Sequence, residues 1–302
     1  MKKILYTLLA TFILLAALTS CGSKKTTEQD DNNVVESPAT DFEYELSPNG
    51  DAVYIKRYIG NSEHIVIPSK INNLPVTCIE KHAFEASVVK SLKMPNSISK
   101  IGGGAFINCD KLEEISFSES LTDIGQNAFE NCTLLKKVSL PSSLRNLGEM
   151  VFNNSGIEYL EIKEGVEVIP IYAFASTNLT TLVLPKSIKK IDFQAFAGCL
   201  KLENVILNDG LVEISVRAFA GDLKLKEITI PKTVNIVTEM SFSGCSGLKK
   251  VMFEGNAPAS YEFSDNISGV WTPFNTEYTV YYHEGSKGFT SPEWYGYKTQ
   301  IW

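Results

Sequence analysis

From residue 65 to residue 253 the apolar positions repeat every 22 or 23 residues. The most regular of them is a phenylalanine, at Phe84, Phe106, Phe129, Phe152, Phe174, Phe196, Phe219 and Phe242. The residue before it is Ala except at Val151 and Ser241, which are also small. Ahead of each phenylalanine from Phe106 onward lies a pair of apolar residues one residue apart, from Leu92/Met94 and Ile115/Phe117 to Ile228/Ile230. Alternation with period two is the pattern of a strand with one buried face. A strand exit follows, often proline (Pro95, Pro141, Pro185, Pro231), and then two apolar positions three apart, such as Ile98/Ile101 and Ile188/Ile191. The first unit starts at Ile65/Ile67 and is lengthened around Asn72 to Pro75. A unit this short cannot close a core alone, so the period predicts coils stacked in a solenoid. The strands are expected to pair in one parallel ladder and the phenylalanines to form a continuous inner column.

Most strands are preceded by a further apolar residue, giving Leu112-x-x-Ile115-x-Phe117, Leu135-x-x-Val138-x-Leu140, Ile157-x-x-Leu160-x-Ile162 and Leu179-x-x-Leu182-x-Leu184. This is the leucine-rich-repeat strand pattern. The Asn/Cys-x-Leu that ordinarily follows is replaced by Pro-x-x-Ile-x-x-Ile-Gly-x-x-Ala-Phe-x-x-Cys. The combination resembles the BspA-like leucine-rich repeats of bacterial surface proteins. The resemblance implies a mainly β repeat solenoid over residues 65–254, a right-handed array of about eight coils with a parallel strand ladder and end caps. It also implies attachment to host or bacterial surface molecules.

The end coils of a solenoid need covers. Residues 41–64 read as a hairpin cap: Phe42, Tyr44 and Leu46 alternate with polar residues, Ser47-Pro48-Asn49-Gly50 is a turn signal, and Val53 and Ile55 follow. Residues 255–302 abandon the period and are rich in aromatics, with Tyr278-Thr279-Val280-Tyr281-Tyr282 reading as a strand. A C-terminal cap is the expectation, an aromatic glycan-binding platform the alternative.

The N-terminus carries targeting signals. Lys2 and Lys3 precede the apolar run 4–18, which has signal-peptide length. Leu18-Thr19-Ser20-Cys21-Gly22 resembles the bacterial lipobox, which implies cleavage of residues 1–20 and a diacylglycerol on Cys21. Two acyl chains suffice for stable membrane attachment. Residues 21–40 are polar and read as a flexible tether. The expected location is the cell envelope, lipid-anchored and surface-exposed. A hydrophobic content of 44% is not that of a disordered chain. The formal charge is −7, and losing Lys2 and Lys3 leaves 26 cations against 35 anions, −9. Such a chain has no electrostatic footprint for nucleic acid.

Chemistry-bearing residues dissolve into the repeat. Cys109, Cys132, Cys199 and Cys245 all stand three residues after a spine phenylalanine, where other units carry Ser87, Ser155, Thr177 or Asp222. That equivalence predicts small buried groups rather than nucleophiles or metal ligands. A disulfide between neighbouring coils is geometrically conceivable. His64, His82 and His283 lack metal-ligand spacing. Gly102-Gly103-Gly104 falls in the Ile-Gly turn and not at a strand-to-helix phosphate loop. No catalytic, metal or cofactor constellation emerges, so no enzyme and no cofactor are expected. What remains is surface. The strand residues pointing away from the core form a row up the ladder: Lys93, Ser116, Ser139, Glu161, Val183, Ile206 and Thr229, with Tyr159 beside it. These are the candidate ligand-binding residues, for an extracellular protein or glycan partner. The alternatives are a glycan-processing accessory or hydrolase with its site in the aromatic C-terminal segment, and a passive envelope spacer.

Overall fold

A computed structural model describes residues 35–238, 240–258, 278–294 and 296–302. The expected leader, Cys21, the tether to residue 34, and Tyr261, Phe263, Trp271, Phe274 and Tyr295 of the aromatic segment lie outside the described residues. The described chain winds as a mainly β parallel solenoid of about ten turns. Helix is confined, among the described residues, to the 3-10 turn Ala39–Asp41.

The leucine-rich strands form the first ladder. Ile65, Leu92 and Ile115 stand side by side, as do Val138 with Leu160, Leu182 with Val205, and Ile228 with Val251. A second ladder, which the apolar pattern did not announce as strand, runs through the second of the two apolar positions before each phenylalanine turn. It passes from Val53–Tyr58 and Leu74–Ile79 through Lys100–Ile101 and Asp123–Ile124 to Asn146–Leu147, and resumes from Val168–Ile169 to Ile236–Val237.

The interruption of the second ladder has a covalent cause. At its exit, Gly102, Gly125, Asp192, Ser215 and Thr238 donate their N–H to the carbonyl of Ile79, Ile101, Ile169, Ile191 and Ile214 on the preceding coil. The equivalent residue on the coil after Leu147 is Pro170, which has no N–H to give.

A third set of inter-coil bonds runs along the Ala-Phe turns. Phe84 N–H donates to Ala105 O, Phe106 to Ala128, Phe129 to Val151, Phe152 to Ala173, Phe174 to Ala195, Phe196 to Ala218 and Phe219 to Ser241. The residues two before and two after each phenylalanine are left-handed, for example Asn127 (φ 58) and Asn131 (φ 62), or Gln194 (φ 52) and Gly198 (φ 73). Alternate N–H groups therefore reach the next coil, as from His82, Phe84 and Ala86, while those of Ala83 and Glu85 bond back within their own turn. Left-handed backbone is costly for residues such as Met150 or Tyr172, and the stack on both sides holds it in place.

Inside, the eight phenylalanines stack as one column. Ring centroids are 4.8 Å apart at Phe84–Phe106 and 5.6 Å at Phe219–Phe242, with planes within 16° throughout. Tyr58 continues the column by one ring, 5.4 Å from Phe84 and stacked on it. Burying each such side chain contributes roughly 1.5–3 kcal/mol before conformational entropy is subtracted.

At the N-terminal end Phe42–Leu46 pairs antiparallel with Val53–Tyr58, which itself starts the second ladder. The expected one-sided burial of Phe42, Tyr44 and Leu46 holds only for Phe42. Tyr44 and Leu46 are exposed, beyond an irregularity in register between Glu43 and Tyr44. At the C-terminal end Thr279–Tyr282 and Tyr297–Ile301 extend the first ladder in parallel, and Glu293–Trp294 folds back on the last strand. Tyr278 stacks on Tyr297 at 4.4 Å and Tyr282 on Phe289 at 4.7 Å, while Trp294 packs on Phe253 and Phe289.

Candidate functional site

The cysteine column lies in the interior. Cys78, Cys109, Cys132, Cys199 and Cys245 are free and buried, so neighbouring coils are not bridged by disulfides there. Four of them donate Sγ–H to a carbonyl of the preceding coil: Cys109 to Phe84, Cys132 to Phe106, Cys199 to Phe174 and Cys245 to Phe219, at 2.9 to 3.3 Å. Burial pushes the Cys199 and Cys245 thiols up to about 12. Thiolate, the nucleophilic form, is therefore not populated at neutral pH.

Asp222 occupies the same column and is fully buried. Its Oδ1 accepts the Cys199 N–H at 2.8 Å, and burial holds its carboxyl far above the ordinary carboxylate range. The histidines are dispersed. His64 Nδ1 lies 2.8 Å from Ser91 Oγ, His82 pairs with Glu85 at 3.1 Å, and His283 stacks on Trp302. Among the described residues no group of His, Cys, Asp and Glu has metal-site geometry. Gly102-Gly103-Gly104 belongs to the stack: a Cβ on Gly102 would fall 2.4 Å from the Lys81 nitrogen, and Gly104 takes a left-handed φ of 60°.

The ladder row divides in two. Lys93, Ser116, Ser139, Glu161 and Val183 are exposed, as is Tyr159 beside them. Ile206 and Thr229 are only half-exposed, and Met252, next in the row, is buried. The open part of the face is therefore its N-terminal and central portion. Lys93 and Ser116 are direct neighbours across paired strands, as are Ser139 with Glu161 and Val183 with Ile206. Ser139 Oγ donates to Glu161 Oε2. Burial and the neighbouring Glu161 carboxylate raise the Tyr159 hydroxyl above its usual value, so it remains a neutral donor and acceptor.

Between Ser116 and Ser139 the face opens. Strand Glu114–Ser116 pairs only backward, to Ser91–Lys93, and Lys137–Leu140 only forward, to Tyr159–Ile162. A groove of about 580 Å³ lies there, with Ile115 and Leu134 as its apolar lining and Glu113, Glu114, Lys136 and Lys137 around them. Ile115, an inward residue by its alternation, is only half-buried as a result. Outward-row reasoning missed this groove, because the pairing of adjacent strands is not encoded in any single coil.

A family model described as a BspA-type leucine-rich repeat region matches residues 57–177 and 167–267, in six copies. The chain belongs to this family. A leucine-rich repeat protein of T. pallidum superposes with a TM-score of 0.56 at 30% identity, over 63% of this chain and 91% of that one. One from Bacteroides ovatus superposes with a TM-score of 0.57 at 21% identity, over 90% of this chain and 76% of that one, a likeness of fold alone. No curated protein matches. The BspA-type repeat fold suggests a protein-interaction or adhesion-type role, and proteins built on it are typically non-catalytic binders.

Proposed function

We propose that this BspA-type protein is a cell-surface-tethered adhesion or ligand-binding lipoprotein. It recognises an extracellular protein or glycan through the first ladder, without catalysis. The observation that carries the reading is the open groove beside Ser116, set in a row of exposed strand residues from Lys93 to Val183. A concave patch that combines apolar lining with charged groups around it is compatible with recognition of an external ligand. The rigid ladder on either side presents those groups without an ordering cost. Attachment rests on Leu18-Thr19-Ser20-Cys21, whose acylated cysteine would hold the array at the envelope.

The test is a screen of the full chain against glycan and extracellular-matrix arrays, followed by charge reversal on the face. Lys93→Glu, Lys137→Glu and Glu161→Lys are expected to weaken the bound hit by roughly tenfold or more where each faces the ligand. Equal binding by all three variants would remove the ladder face from consideration.

A further inference from the structure

The outer tip of the phenylalanine turn changes character along the solenoid. Three residues before the spine ring stand Lys81, Gly103, Gln126 and Glu149 in the early coils, Ile171, Phe193 and Val216 in the next three, and Glu239 in the last. Met150 and Tyr172 occupy the adjoining column, two residues before the ring. All five of these apolar residues are half-exposed. The stripe is ordered: Tyr172 meets Phe193 edge-on at 5.4 Å and donates its hydroxyl proton to Gln194 Oε1 at 2.6 Å. Nothing in the coil interior requires it, since the early coils stack equally well with polar residues at the same positions. Its make-up of Phe, Tyr, Met and aliphatic residues with an arginine at one end is that of interface cores rather than of free surface.

The charges at its two ends identify the occupant. Glu149 lies at the coil of Phe152 and Arg217 at the coil of Phe219, both exposed; among the described residues neither forms an ion pair, and Arg217 Nη2 donates only to Met240 Sδ, at 3.5 Å. We infer that a second copy of this chain docks on the stripe, antiparallel, about a two-fold axis between the coils of Phe174 and Phe196. A two-fold contact needs a patch complementary to its own reverse. Reversal brings Ile171 onto Phe193, Tyr172 onto Gln194, Met150 onto Arg217 and Glu149 onto Val216, with Glu149 diagonal to Arg217. It also sets Glu149 of each copy within reach of Arg217 of the other. A parallel pairing would instead place Glu149 against Glu149 and Arg217 against Arg217. The dimer uses the turn edge and leaves the first ladder free.

Sedimentation velocity of the full chain, in mild detergent because of the apolar run at 4–18, tests the inference. The wild-type chain is expected to be a dimer that dissociates on dilution. Arg217→Glu alone and Glu149→Arg alone are each expected to weaken self-association by at least roughly tenfold. An equimolar mixture of these two variants is expected to recover wild-type association, because both cross-contacts are then opposite in charge. Recovery on mixing also shows that each variant is folded. A wild-type chain that is monomeric at every concentration overturns the inference. So do single variants that associate like wild type, or a mixture no tighter than its components.

Discussion

At the scale of single residues, the repeat sorts chemistry from packing. Cys132, met alone, could be a nucleophile, but its equivalents at Cys109, Cys199 and Cys245 bond to the preceding coil in the same way and share its burial. The outlier of that column is Asp222, whose Oδ2 has no hydrogen-bond partner among the described residues. Burial raises its folded pKa above the unfolded value of about 3.9, so the native state holds a proton that the unfolded chain releases. Stability is then full below about pH 4 and falls by about 1.4 kcal/mol per pH unit until the folded pKa is reached. Asp222→Asn keeps the shape and removes the proton. It is expected to leave stability nearly unchanged at pH 4 and to raise it at pH 8, as read by denaturant unfolding at both. An equal effect at the two pH values would show that Asp222 is not held neutral.

At the scale of elements, the coil is held by groups that reach to the next one. The Glu164 carboxylate accepts the N–H groups of Lys186 and Ser187 at 3.0 and 2.7 Å, in the strand-exit turn of the following coil. Those backbone bonds, the Lys186 one foremost, hold the carboxyl below its usual range. Its contribution is therefore present above the unfolded value of about 4.3 and is lost as pH falls through the folded pKa. Glu164→Ala should speed amide exchange at Lys186 and Ser187 at pH 7, with the difference from wild type closing as the carboxyl protonates. Unchanged exchange at pH 7 would mean that water serves those amides as well. The leucine-rich strands and the phenylalanine column were legible in the sequence, because each residue repeats one role at a fixed phase. The second ladder was not, since two apolar positions three apart are equally a turn. Of the left-handed columns, the one after the ring had a signal in Asn108, Asn131, Asn154, Gly198, Gly221 and Gly244, whose types favour that backbone. The one before the ring had a signal only in Gly104 and Asn127, because Met150, Tyr172 and Arg217 are held there by the stack and not by their own preference. The ladder groove was hidden for a related reason: it depends on how two neighbouring coils pair.

At the scale of the whole molecule, three bond systems run the length of the array and their gaps are staggered. The first ladder lacks a strand pair between the coils of Ser116 and Ser139, of Ile162 and Thr181, and of Ile206 and Glu227. The second is paired at each of those junctions, through Asp123–Asn146, Val168–Lys190 and Glu213–Ile236. Where the second is broken by Pro170, the first is intact between Lys137–Leu140 and Tyr159–Ile162. The turn bonds cross all of them, from Phe84 to Ser241. No junction along this span thus relies on the ring column alone, and nearest-neighbour coupling of this kind makes a repeat array unfold as a unit. Phe174 is the sharpest place to probe this, because it stacks at 5.5 Å on both Phe152 and Phe196 and its two flanking junctions each lack one ladder pair. Phe174→Ala removes a fully buried ring and should cost about 3–5 kcal/mol. The remaining bonds should still carry the transition across the cavity, so the variant unfolds in one step at lower denaturant, with fluorescence and circular dichroism coincident. Two resolved steps would mean that the rings, and not the staggered ladders, hold the halves together.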